Sequence, residues 1–107
     1  GRYLFSKVFS KYFINIENQS KNVVQLISRH WKIQEVASLP YYVNGTGVVG
    51  KKPVIHPGKS HTYQSGSLIT TPIGSMSGTF TMINFSNAQK FNVEIPTFKL
   101  NVPYILN

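Results

Sequence analysis

Apolar and polar residues alternate with a period of two along most of this chain, the pattern of strands with one buried face. Tyr12, Ile14 and Ile16 alternate with Phe13, Asn15 and Glu17, and a turn at Asn18–Asn22 leads into a second strand from Val23. In that strand Val24 and Leu26 share one parity while Trp31 and Ile33 share the other. A bulge near Ser28-Arg29-His30 lets both pairs point inward. Leu39-Pro40-Tyr41-Tyr42-Val43 reads as a loop or edge strand, because proline cannot donate inside a sheet. Val54-Ile55 and His61–Gln64 read as short strands around the turn Pro57-Gly58, and Thr71–Gly74 as a connection. Phe80, Met82 and Asn84 alternate with Thr79, Thr81 and Ile83. Ser86–Gln89 then reads as a hairpin turn into Phe91–Ile95, and Phe98, Leu100 and Val102 form a last strand. Seven or eight short strands without an amphipathic helix predict an all-β, two-sheet sandwich.

Composition narrows the setting. A chain of 107 residues with 41% hydrophobic residues forms one domain with a packed core. It has no cysteine, which excludes disulfides, thiolate metal sites and Cys nucleophiles. No apolar run approaches the ~20 residues of a membrane span, so no membrane insertion is expected. The start, Gly1-Arg2-Tyr3, does not read as a signal peptide. It reads instead as the beginning of a domain cut from a longer intracellular chain; the cytoplasm is the expected compartment, with an organelle or the nucleus left open. Eleven Lys and Arg face three Glu and no Asp, giving +8. Such a surface attracts polyanions or an acidic protein. The basic residues are scattered, however, and a chain rich in Lys, Asn, Ile, Phe and Ser also fits a coding-composition bias.

The segment Gly45-Thr46-Gly47-Val48-Val49-Gly50-Lys51-Lys52-Pro53 carries a GxGxxG spacing. That fingerprint cradles a pyrophosphate when a helix opens from it. Here Pro53 and the following Val54-Ile55 leave no room for a helix, so a dinucleotide fold is excluded. Two readings of Gly45, Gly47 and Gly50 stay open. They serve tight backbone geometry, or their amides form an anion nest to which Lys51 and Lys52 add charge. Tyr41 and Tyr42, and Phe5 or Phe9 among Lys7 and Lys11, offer aromatic surface for a protein partner or for stacked bases. Known RNA-binding strand signatures are absent, and the alternation at residues 3–13 also fits a strand with one buried face.

Catalysis finds little support. A Ser-His-Asp triad cannot form without Asp, and Glu17 and Glu94 fall on polar strand phases. His56 and His61 straddle a Pro-Gly turn in no recognised ligand spacing, and His30 beside Trp31 reads as a packed, hydrogen-bonded core residue. Neither a catalytic site nor a metal or cofactor is expected. The sequons at Asn18, Asn44 and Asn84 match what chance gives in so Asn- and Ser-rich a chain.

An ordered set of motifs then carries a resemblance. Arg29-His30-Trp31, Gly45-x-Gly47-Val48-Val49-Gly50 and Pro53-Val54-x-x-Pro57-Gly58 are followed by Tyr63-x-Ser65-Gly66 and Thr71-Pro72-x-Gly74-x-Met76-x-Gly78. Ile95-Pro96-x-Phe98-x-Leu100-x-x-Pro103-x-x-x-Asn107 closes the series. The chain thus resembles the ApaG family over about residues 12–107. The resemblance implies an immunoglobulin- or fibronectin-III-like sandwich. It also implies a non-catalytic module, since bacterial members are linked to divalent-cation resistance only by phenotype. Related domains in some eukaryotic F-box proteins and in a DNA-polymerase-delta-interacting protein resemble partner-binding modules. No catalytic residue carries over. The chain departs from the family in Val36–Tyr42, where an acidic hairpin is usual, and in Lys59, where an acid is frequent. Protein–protein interaction is therefore the leading expectation, with phosphate, nucleotide or nucleic-acid binding through the Gly loop and basic surface as the alternative.

Overall fold

A computed structural model describes residues 8–36, 38–69 and 73–101. It contains β1 (Val8–Glu17), β2 (Val24–Glu35), β3 (Tyr41–Thr46), β4 (Val54–Ile55), β5 (Ser60–Ile69), β6 (Ile73–Asn84) and β7 (Gln89–Asn101), with no helix among the described residues. β1 and β5 pair as a two-stranded antiparallel sheet. The larger sheet has the order β3-β2-β6-β7, and β4 pairs with β2 at Val24 and Gln25. All pairings are antiparallel. The expected two-sheet sandwich is thus the observed architecture.

The period-two pattern accounts for the core. Tyr12, Ile14 and Ile16 project from β1 onto the large sheet, beside buried Tyr63 of β5. Trp31 lies at the centre, with the rings of Tyr12, Phe80 and Phe98 each 5.8–5.9 Å away in edge-on contact. Such edge-to-face pairs are favoured by the ring quadrupoles. Around them pack Leu26, Ile33, Met76, Met82 and Leu100.

Two bulges keep the apolar residues inside. In β2, Leu26 faces Met82 and Ser28 faces Thr81, so Ile27 is the extra residue. The inward phase passes there from Val24 and Leu26 to Trp31 and Ile33, one residue earlier than the sequence places it. In β7, the shift falls between the pairs Met76–Phe98 and Gly78–Ile95, so Ser77 stands opposite Pro96 and Thr97. A bulge is where a strand tolerates a proline that cannot donate. The sequence reads two strands on either side of Pro96, whereas the chain continues as one.

The two-stranded sheet is too narrow to cover the five-stranded one. Phe91 and Val93 pair with buried Met82 and Phe80, so they belong to the inner face, yet remain 40% and 38% exposed. The opposite margin, along β3, is similarly open.

Candidate functional site

The Gly loop is built on the bulge in β2. The Ile27 carbonyl accepts a 2.7 Å hydrogen bond from the Gly47 amide, continuing the β2–β3 register one position past Ser28 and Thr46. From there the chain reverses in a tight turn. The Val48 amide donates to the Lys51 carbonyl at 2.7 Å and the Lys51 amide returns a 3.0 Å bond to Val48. The two central residues, Val49 and Gly50, have φ of 49° and 74°. Positive φ at both positions defines a type I′ turn. Gly47, at φ 61°, is also constrained sterically, since a Cβ there would overlap the Lys51 carbonyl. After the turn, the Leu26 amide donates to the Pro53 carbonyl at 3.1 Å, bringing β4 against β2.

Arg29 fastens this loop. Its guanidinium Nη1 donates to the carbonyls of Thr46 and Gly47, both at 2.9 Å. Gly45 lies flat beneath it, and a Cβ there would come within 2.7–2.8 Å of the guanidinium. Sequence reasoning assigned Arg29 no role beyond its place in a motif. Its signal is its parity, because an arginine in phase with buried Trp31 and Ile33 needs acceptors close by.

The amides of Gly47, Val48 and Lys51 are therefore donors within the protein, not members of a row of free N–H groups. Lys51 and Lys52 are exposed, and the Lys52 carbonyl accepts from Gln25 Nε2 at 3.0 Å. Between the turn and β5 lies a cleft of about 220 Å³ lined by Val48, Val49, Lys51, His61 and Tyr63 among others. The His61 and Tyr63 rings stack at 6.4 Å. The Tyr63 hydroxyl is buried without a hydrogen-bond partner among the described residues, as is Trp31 Nε1. Burial pushes the Tyr63 phenol well above its ordinary value; Tyr12 adds to the rise and Arg29 partly offsets it.

Tyr41 and Tyr42 begin β3, whereas the Gly loop follows its end. Tyr42 and Thr46 are four residues apart, roughly 13 Å along a strand. The two expected sites thus occupy opposite ends of one edge. Around the tyrosines, Leu39 is 89% exposed, Tyr42 66%, Val43 40% and Tyr41 38%. Lys32, exposed, pairs with Tyr42 on the outer face of the sheet.

His30 differs from its expected place in the core. Once the bulge turns Trp31 inward, His30 must face outward, and it is exposed. It is hydrogen-bonded there, with Nδ1 3.1 Å from Asn44 Oδ1 and Nε2 3.2 Å from Ser28 Oγ. No group of three or more His, Asp or Glu that could hold a metal occurs among the described residues. Glu17 and Glu94 are exposed, on different sheets.

Comparison with known proteins places these features in a family. The ApaG domain model matches residues 2–84. Protein ApaG of Methylocella silvestris is 42% identical over 97 residues, covering 91% of this chain and 74% of that protein. Protein ApaG of Thiobacillus denitrificans is 41% identical over 106 residues, covering 99% and 79%. An X-ray structure from the Northeast Structural Genomics Consortium superposes with a TM-score of 0.87 at 37% identity, over 94% of this chain and 75% of the other. The crystal structure of a Bordetella pertussis protein bearing the name ApaA gives 0.81 at 38% identity, over 89% and 76%.

Proposed function

The chain belongs to the ApaG family, and from that premise we propose that it is a non-catalytic, intracellular module that binds a protein partner through the open margin along β3. One observation carries this reading: Leu39, Tyr41, Tyr42 and Val43 stand exposed together at a sheet edge. Apolar and aromatic side chains gathered at one site favour a protein contact over isolated surface exposure. The missing Asp and Cys support a binding role over a catalytic one. No helix among the described residues is long and apolar enough to cross a membrane.

Quantitative affinity capture from cell extract tests the proposal with three proteins: the unmodified domain, an L39S/Y42S variant and a K51A/K52A variant. Loss of a central contact of about 2 kcal/mol lowers capture of a true partner about thirtyfold. That loss is expected for L39S/Y42S and not for K51A/K52A. The opposite pattern, with capture lost only in the lysine variant and restored at low salt, replaces this reading with an anion-binding loop.

A further inference from the structure

Accepting the partner-binding reading, we propose that the free edge of β3 takes up an extended acidic segment of the partner as an additional strand of the large sheet. Among the described residues, β3 pairs only with β2. The direction of its backbone groups follows from the ladder. Gly47 donates to Ile27, so the residues of β3 that share its parity, Tyr41, Val43 and Gly45, turn their N–H and C=O groups to β2. The amides and carbonyls of Tyr42 and Asn44 then point to the open side. Beyond them the edge closes, because Arg29 occupies the Thr46 carbonyl. The edge therefore has a defined length and register, fitting a short segment in the strand-addition mode.

Side-chain parity and charge specify the occupant. Tyr41 and Val43 lie on the inner side of the sheet but stay partly exposed, because the narrow second sheet does not reach this margin. Apolar residues at alternate positions of the added strand would cover them. On the outer side stand Tyr42 and Lys32, both exposed. No acidic residue lies on β3, and the whole chain carries +8. This favours alternating acidic residues in the ligand. The same charge opposes a second copy of the chain, whose β3 would bring its own Lys32 to the edge, and Pro40 with the lysines are the usual guards against self-pairing.

Amide exchange by NMR tests the proposal, using the isotopically labelled domain and two capped peptides, Glu-Val-Glu-Val-Glu-Val-Glu and the same peptide with Lys for Glu. With the acidic peptide, exchange of the Tyr42 and Asn44 amides is expected to slow at least about tenfold while Tyr41 and Val43 change little. The basic peptide should give no protection. K32E should weaken the acidic peptide about fivefold, the size of one exposed ion pair, and added salt should act in the same direction. Equal protection by both peptides, or no protection at Tyr42 and Asn44 at saturation, overturns the proposal. So does protection of those amides in the free domain that rises with its concentration, which would identify a second copy as the occupant. If L39S/Y42S abolishes partner capture yet these two amides stay unprotected in the captured complex, strand addition fails while partner binding stands. If capture survives L39S/Y42S, the underlying reading fails instead.

Discussion

The turn at Val48–Lys51 carries a residue poorly suited to it, which makes its replacement a sharp test of the loop geometry. Val49 holds φ 49° at the first central position of the type I′ turn. A β-branched residue in this region is a genuine outlier, and the left-handed conformation costs an L-residue about 1–2 kcal/mol. Asn tolerates it, and Asn-Gly is the pair that type I′ turns prefer. Val49 is 58% exposed, so replacing it forfeits only part of the 1.5–3 kcal/mol of a fully buried valine, about 0.6–1.3 kcal/mol. V49N should therefore be modestly more stable than the unmodified domain, by about 0.5 kcal/mol.

A cleaner comparison sets V49N against V49T, because both place a polar side chain at this exposed position while only Thr keeps the β-branch, with one of valine's two methyls. V49N is expected to exceed V49T by about 1 kcal/mol, or about 4–8 °C in Tm for a domain near this size. Urea denaturation with a shared m-value measures the difference. V49T as stable as V49N would mean that Val49 is not held in the left-handed region, and the assignment of Gly47–Lys51 to this turn would fall with it.

Two further perturbations probe the buried polar groups. Y63F removes a hydroxyl that has no partner among the described residues, so it should leave stability unchanged or raise it by about 1 kcal/mol, and a loss of that size instead would prove a partner. Because the Tyr63 phenol is raised in the folded protein, its contribution is fully present below the unfolded value near 10 and is lost as pH rises. The slope above pH 10 should reach at most about −1.4 kcal/mol per pH unit and be absent in Y63F relative to the parent. N18A should cost about 2–4 kcal/mol in urea, since buried Asn18 donates to the Asn22 and Ile55 carbonyls at 2.7 and 2.8 Å and accepts from the Ser20 amide at 3.0 Å. A cost below about 1 kcal/mol would show that the turn after β1 holds without this side chain.

The sandwich was legible because burial on one face writes a period of two, and that signal survived both bulges. The phase change from Leu26 to Trp31 was read as a bulge, while the equivalent change from Ile95 to Phe98 was read as a break because Pro96 intervenes. Glycine concealed the rest of β6. Gly74 and Gly78 resemble interruptions, yet at Gly78 a Cβ would overlap the His30 carbonyl of the neighbouring strand. Close strand approach and a strand break leave the same letter in the sequence. Asn18 was hidden for another reason: its partner Ile55 lies 37 residues away, and no local pattern encodes that meeting. Arg29 could have been found from its parity alone.

The bulge and the Gly loop also explain why the candidate interface lies where it does. β2 has twelve residues and one long side to fill opposite β6. A single partner strand running its full length would leave an equally long outer edge, an invitation to aggregation. Instead the Ile27 carbonyl accepts from the Gly47 amide, and the chain turns out and back before β4 takes up Val24 and Gln25. The outer edge is thereby reduced to Tyr41–Thr46, with Pro40 before it, Arg29 closing its last carbonyl and Lys51 and Lys52 beyond. On this argument the glycines act on recognition through architecture. They shorten and frame the edge that we propose takes up a partner's acidic segment.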